Sequence, residues 1–207
     1  LRTQLLLSSE WADGINTASG STRQIKRNLQ LNHGETYKNS SEKIIQSVKN
    51  NMTIDNFAFP SEIFQILFTR TGVGMFYGPH VDIACLKGNR RRDLSFTIFL
   101  NDKNEYKGGE LVLYIPPETK SIKLNAGDII IYPTKYLHEV KEVTEGERIV
   151  CVGWIESQIP RDDDRDMLSM LRRSVAEIQS NQNNNTLSTL NLNVAINNIH
   201  KRFASLN

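Results

Sequence analysis

Cysteine is scarce, with only Cys85 and Cys151 in a chain of 207 residues. That excludes a small fold stapled by disulfides and an all-cysteine zinc site, and each thiol reads as a small buried residue. An excess of one charge is also lacking. Lys and Arg number 25 against 23 Asp and Glu, a formal net charge of +2, too mild to advertise a nucleic-acid or membrane-surface partner. No apolar run approaches a spanning helix, and the leucines at 5–7 are too few for a signal-peptide core. A soluble cytoplasmic protein with no membrane partner is the expectation. Histidine is short as well: any histidine-based metal site must draw on His33, His80, His138 and His200.

Turn chemistry and short apolar runs are what the chain does have. Runs at 63–68, 94–100, 111–115, 121–124, 129–132, 139–143 and 148–155 are divided by Asn101-Asp102, Gly108-Gly109, Pro116-Pro117, Ala126-Gly127-Asp128 and Glu145-Gly146. Seven short strands at this spacing predict a β-sandwich or barrel. Alternation over 24–31 predicts an edge strand, and Ile44, Ile45 and Val48 predict a short helix within 41–50. After Pro160 the pattern becomes helical: Asp162, Asp163 and Asp164 suit a helix N-terminus, followed by Met167, Leu168, Leu171, Val175 and Ile178. A polar linker at 181–185 precedes Leu192, Ile196, Ile199, Phe203 and Leu206. This second amphipathic helix either packs on the barrel or pairs two copies of the chain as a homodimer.

His80-Val81-Asp82 puts an imidazole and a carboxylate on one face of an extended strand. Alone, the pair reads equally as two metal ligands or as an ordinary hydrogen-bonded pair. His138 opens another expected strand. Two imidazoles and a carboxylate on neighbouring strands make the facial triad of non-heme Fe(II) oxygenases, whose open positions admit a bidentate oxo acid and dioxygen; a structural zinc site would be closed by a fourth ligand. Arg148 follows His138 by ten positions. Inside a barrel it needs an anion, the distal carboxylate of 2-oxoglutarate being the natural candidate; on the surface it would pair with Glu145 or Glu147. His33 and His200 have no partnering motif and read as exposed or capping residues.

The order His80-x-Asp82, Arg92-Asp93-Leu94-Ser95-Phe96-Thr97-Ile98-Phe99-Leu100-Asn101-Asp102, Tyr106-x-Gly108-Gly109-Glu110-Leu111, Ala126-Gly127-Asp128, Tyr132-Pro133, His138 and Arg148 resembles the Fe(II)/2-oxoglutarate-dependent oxygenases of the prolyl 4-hydroxylase superfamily. Glu10-Trp11-x-Asp13-Gly14, Lys26-Arg27-Asn28-Leu29-Gln30-Leu31, Trp154-Ile155-Glu156-Ser157 and Arg161-Asp162-Asp163 are similar, more narrowly, to the bacterial PKHD-type hydroxylases. The resemblance implies a mainly β fold with flanking α: a double-stranded β-helix of jelly-roll or cupin-like form over 1–157, with a helical C-terminal extension over 158–207 packed on it. It implies His80, Asp82 and His138 as Fe(II) ligands and Arg148 on 2-oxoglutarate, with O2 as oxidant and ascorbate as reductant. The implied reaction hydroxylates an amino-acid side chain, proline- or lysine-like within a peptide, or a small molecule, and releases succinate and CO2.

Phe99 stands where a tyrosine elsewhere in the superfamily helps the arginine. Ser95 and Thr97 on the same strand, and Tyr77 three residues before His80, are therefore candidates for co-substrate contacts, with strand packing the plainer reading. Lys87, Arg90, Arg91 and Arg92 form a basic run at the expected mouth. It is either a solvated loop or a lip for an acidic substrate, with Arg90 and Arg91 as the substrate candidates. Gly72, Gly74 and Gly78 suggest a mobile segment able to close over substrate. Two rival readings stand beside the hydroxylase. A non-catalytic, sensor-like cupin barrel would have no use for Arg148, and a nucleic-acid demethylase is disfavoured by the weak net charge and the lack of an aromatic stacking stripe.

Overall fold

The computed structural model describes residues 1–18, 20–86, 90–182 and 187–204. In chain order the elements are α1 (Arg2–Leu7), β1 (Trp11–Asp13), 3-10 turns at Gly14–Thr17 and Gly20–Gln24, β2 (Lys26–Arg27), β3 (Leu29–Leu31), α2 (Glu35–Lys49), α3 (Met52–Ala58), β4 (Pro60–Thr71), β5 (Phe76–His80) and β6 (Leu94–Phe99). There follow β7 (Tyr106–Gly108), β8 (Leu111–Ile115), β9 (Glu118–Ile122), β10 (Ile129–Pro133), β11 (Leu137–Val140), β12 (Val143–Gly146), β13 (Arg148–Ser157), α4 (Asp162–Gln182) and α5 (Leu187–Phe203). The first sheet has the order β1-β3-β4-β13-β6-β10, the second β2-β5-β11-β8-β9, and β7 pairs with β12.

Strand alternation makes the first sheet two-faced. On β6, Leu94, Phe96 and Ile98 enter a core shared with Ile149, Cys151 and Ile155 of β13 and with Ile44 and Val48 of α2 and Ile54 and Ala58 of α3. Burying each large apolar side chain there contributes about 1.5–3 kcal/mol. The opposite face carries Thr97 of β6 and Arg148, Val152 and Trp154 of β13, and it lines a cavity shared with the second sheet. This is the β-helix architecture that the family resemblance implies, two sheets of short strands flanked by helices. The outer edge of the second sheet, β9, is exposed and carries Glu118 and Lys120, charges that discourage pairing with another strand.

The chain leaves β13 under a helical pair. Arg165, 2% exposed, donates to the Ile159 carbonyl at 2.8 Å and to Asp162, which ties α4 to the strand exit. Phe59, Ile159, Leu168, Val175 and Ile196 form the apolar contact beneath α4 and α5, with Leu171, Ile199 and Phe203 packed against it. Met167, Ile178 and Leu192 stay partly exposed, while Leu206 and residues 183–185 of the expected linker lie outside the described residues. No described helix is long and apolar enough to cross a membrane.

Several expected boundaries move. The strand expected over 24–31 divides: β2 joins the second sheet and β3 the first, with Asn28 at the crossover. The helix within 41–50 begins at Glu35, because its first turn is polar and only Tyr37 packs on the core. The run 139–143 splits between β11 and β12, which belong to different sheets. β5 falls in the stretch expected to be mobile, but it is a strand paired with β2 on one side and β11 on the other. Cys151 is buried as expected; Cys85 is exposed, since it follows the end of β5 and its neighbours Ile83 and Val81 also face outward.

Candidate active site

β5 and β11 are antiparallel neighbours with His138 directly opposite His80, so both imidazoles leave the same face, their ring centroids 4.2 Å apart. Asp82, just past the end of β5, brings Oδ1 to 3.9 Å from His138 Nε2. One ligand atom from each of the three residues lies within 4.8 Å of the others. Local hydrogen bonds orient the set. Nδ1–H of His80 donates to the Gly78 carbonyl at 2.8 Å, and Nδ1–H of His138 to the Tyr136 carbonyl at 3.0 Å. Both Nε2 lone pairs are thereby left for a metal. Burial, followed by the nearby His138, pushes the His80 pKa down to about 4, so the ring is neutral at pH 7. Oδ2 of Asp82 accepts from Ser95 Oγ at 2.6 Å and Trp154 Nε1 at 2.9 Å. Two imidazole nitrogens and one carboxylate oxygen fit Fe(II) with coordination positions to spare.

The first sheet faces this group with a different chemistry. Trp154 pairs with Ser95, and Ser95 with Tyr132, giving one row across β13, β6 and β10. Arg148 opens β13 and is 2% exposed. Burial works against its charge, and Tyr106, Tyr132 and Glu110 are the groups that support it. The surface alternative for Arg148 does not occur, since Glu147 pairs with Arg70 at 2.8 Å. Gly109 makes the arrangement fit: at φ +67 a Cβ there would lie 2.9 Å from Val143 Cγ2 and 3.1 Å from Arg148 Cδ. Among the described residues, Arg148 Nε is buried with no hydrogen-bond partner, as is Nε of Arg92, while the Tyr106 hydroxyl lies against the Arg148 guanidinium and supports its charge. A buried guanidinium with a donor left over, at a cavity wall, fits a carboxylate ligand.

The cavity between the sheets is about 360 Å³, and the triad, Arg148, Tyr77 and Thr97 line it. Tyr77 stacks on His80 with centroids 3.6 Å apart. Ser95, expected against a co-substrate, instead gives its hydroxyl to Asp82. Neither Arg90 nor Arg91 lines the cavity. Arg90 pairs with Glu62 at 2.9 Å and covers Phe64; Arg91 is held by Asp93, Glu156 and the Ser157 carbonyl. Arg92 is the member of the basic run that reaches the cavity, lying 4.1 Å over the Trp154 ring and donating to Gln65. Lys87 lies outside the described residues. Gln65 has a left-handed backbone (φ 52) where β4 gains a residue against β13, a bulge of the kind that re-aims a side chain beside an active site.

Sequence reasoning did not assign Trp154, Tyr132, Tyr106 or Lys26 to the site. Trp154 had a usable signal, since it lies six positions after Arg148 on one strand and even spacing shares a face. His33 is exposed, at the cavity rim against Tyr37. His200 bridges Arg172 and Gln158 at 3.1 and 3.0 Å.

Residues 65–156 match the profile of the 2OG-Fe(II) oxygenase superfamily. A PKHD-type hydroxylase of Prochlorococcus marinus strain MIT 9313 is 43% identical over 170 residues, 81% of this chain and 76% of the relative. Another, from strain MIT 9211, is 45% identical over 162 residues, 78% of this chain and 73% of the relative. Among solved structures, a Pseudomonas putida prolyl-4-hydroxylase shares the fold at 19% identity and TM-score 0.50, covering 67% of this chain and 77% of its own. A Trichoplax adhaerens prolyl hydroxylase, solved with a hypoxia inducible factor peptide fragment, does so at 18% identity and TM-score 0.51, covering 81% and 77%. The chain belongs to the 2OG-Fe(II) oxygenase superfamily and, within it, to the PKHD-type hydroxylases. Membership makes it an oxidoreductase of the dioxygenase class and implies Fe(II), 2-oxoglutarate and O2.

Proposed function

We propose that this chain hydroxylates a C–H bond of an amino-acid side chain or small molecule, converting 2-oxoglutarate and O2 to succinate and CO2. The carrying observation is one cavity lined both by the His80, Asp82 and His138 group and by the buried Arg148, which has no carboxylate in ion-pair contact among the described residues. His80, Asp82 and His138 would hold Fe(II), and Arg148, with the Tyr106 hydroxyl beside it, would hold the distal carboxylate of 2-oxoglutarate. Bound iron supplies the activation of O2 for attack on the C–H bond. The protein's own part is positional. Ser95 and Trp154 fix Asp82, the Gly78 and Tyr136 carbonyls fix the imidazole tautomers, and Tyr77 and Thr97 border the space beside the metal. Val81 and Ile83, half exposed at the mouth, give substrate an apolar rim.

In this reading residues 1–157 are the catalytic unit, and α4 and α5 an extension anchored by Arg165. Leu187, Leu190 and Val194 form an exposed apolar strip on α5, which supports pairing of two copies through the C-terminal helices; analytical ultracentrifugation tests this. For the reaction, 2-oxoglutarate is titrated into the anaerobic Fe(II) protein. A metal-to-ligand charge-transfer band is expected, followed by succinate release on admission of air. No band and no succinate would overturn the reading.

A further inference from the structure

Lys26 lines the same cavity and is only 5% exposed. A lysine so buried ordinarily has an acidic partner. Among the described residues no carboxylate reaches ion-pair distance. The ammonium donates to Thr17 Oγ1 at 2.6 Å and lies 5.1 Å from the centre of the Tyr77 ring. Asp13 and Asp82 support its charge through longer-range attraction alone. Thr17 passes its own proton to Gln30 Oε1 at 2.6 Å, so the hydroxyl accepts from Lys26 and fixes the ammonium in place. Burial pushes the Lys26 pKa down to about 8, which leaves it mainly protonated at pH 7. Lys26 and Gln30 both reach this wall because the chain crosses from β2 to β3, and so from one sheet to the other, between them.

The cavity thus contains two buried cations from different sheets. Arg148 stands on β13 of the first, and Lys26 on β2 of the second, next to the strand that bears His80. The proposed co-substrate accounts for Arg148 and leaves Lys26 unexplained. Arg92, a third cation at the cavity, donates to Gln65 and lies over Trp154, with its Nε buried and unpaired; of the three, Lys26 is the one on the second sheet's side, beside the strand of His80. We propose that Lys26 anchors a carboxylate of the molecule being hydroxylated, so that the substrate is a small carboxylic acid of amino-acid size. This rests on the 2-oxoglutarate oxygenase reading above. The volume agrees with this size: about 360 Å³ is at the small end of ligand pockets, and the co-substrate takes part of it, leaving room inside for a group of amino-acid size. The ammonium would gain the charged acceptor that burial denies it, and the substrate would gain a fixed distance from its acid group to the metal.

The test uses the anaerobic Fe(II) protein saturated with 2-oxoglutarate, titrated calorimetrically with the common free amino acids and small dicarboxylic acids, each beside its primary amide. At least one acid should bind, with its amide weaker by about tenfold or more. Lys26→Met should bring that acid down to the level of its amide, and Lys26→Arg should keep the preference. The comparison of acid with amide needs no variant, so a folding defect in Lys26→Met does not shelter the proposal. Failure of every acid to bind, equal binding of acid and amide, or an acid affinity unchanged in folded Lys26→Met overturns it. The charge-transfer band in the same samples separates the two levels. A band with acid binding indifferent to Lys26 removes the subsite alone, whereas no band in the wild type removes the oxygenase reading and the subsite with it.

Discussion

The two sheets that face each other across the cavity solve different problems. On the second sheet, His80 and His138 spend each Nδ1–H on a carbonyl two residues earlier in the chain, Gly78 and Tyr136, and leave only the metal-facing nitrogen. On the first, Ser95 and Trp154 serve Asp82 across the cavity, but Arg148, with Tyr106 against it, keeps an unspent donor. One side is organised to hold a metal by local contacts. The other braces that metal group from afar and keeps a charged site for a ligand. Buried polar groups rarely go unpartnered, so an unpaired guanidinium donor at the wall of the cavity that holds the clustered ligands supports a ligand there.

Breaking the metal side has the largest effect. His138→Ala removes one of three ligands, and Fe(II) binding, the charge-transfer band and succinate formation should all be lost, as read by calorimetry and product assay. Activity retained in this variant would show that the triad is not the metal site. Breaking the other side should be selective. Arg148→Ala is expected to weaken 2-oxoglutarate by about 2–5 kcal/mol while Fe(II) affinity persists. A fall in iron affinity with co-substrate binding intact would reverse the roles assigned to the two sheets.

How much of this could be read in the sequence follows the same division. The metal side is written in short-range terms: His80-x-Asp82 needs only strand periodicity, and His138 only a neighbouring strand. The seven apolar runs predicted strands on equally local grounds, since each is short and bounded by turn residues. What escaped depends on pairing between distant segments. β2 and β3 differ in sheet membership although Asn28 alone separates them, and no local pattern records that switch. Lys26 therefore looked like one basic residue among several on an edge strand. Arg90, Arg91 and Arg92 are chemically alike and adjacent, yet one reaches the cavity and two do not, because Glu62 of β4 and Glu156 of β13 come from distant strands, with Asp93 nearby, to claim the first two.

Trp154→Phe crosses the comparison, since a residue of the first sheet acts on the metal side. It keeps the aromatic packing and removes the Nε1–H bond to Asp82, while Ser95 still holds the same oxygen. Loss of a partner behind a ligand weakens metal affinity about 10- to 100-fold. Fe(II) titration should show a shift near the lower end, with 2-oxoglutarate affinity at saturating iron little changed. A loss confined to 2-oxoglutarate would place Trp154 with Arg148 instead.

The smallest effect is expected outside the cavity, at Arg91. Its side chain is 25% exposed, and its partners Asp93 and Glu156 are 9% and 8% exposed. Arg91→Ala should lower stability by about 1 kcal/mol, or roughly 3 °C in Tm for a chain of this size. The sign of its pH dependence follows from Asp93. Burial raises the carboxyl pKa of Asp93, and the Ser157 N–H and Arg91 pull it back. Without Arg91 the folded-state pKa rises further above the unfolded value, so folding increasingly favours the protonated acid. The deficit in Tm should therefore be greatest at neutral pH and shrink as pH falls through the raised carboxylate range. Thermal melts across that range measure it. An unchanged Tm with a weaker apparent affinity for substrate would instead return Arg91 to the lip that its place in the basic run suggests.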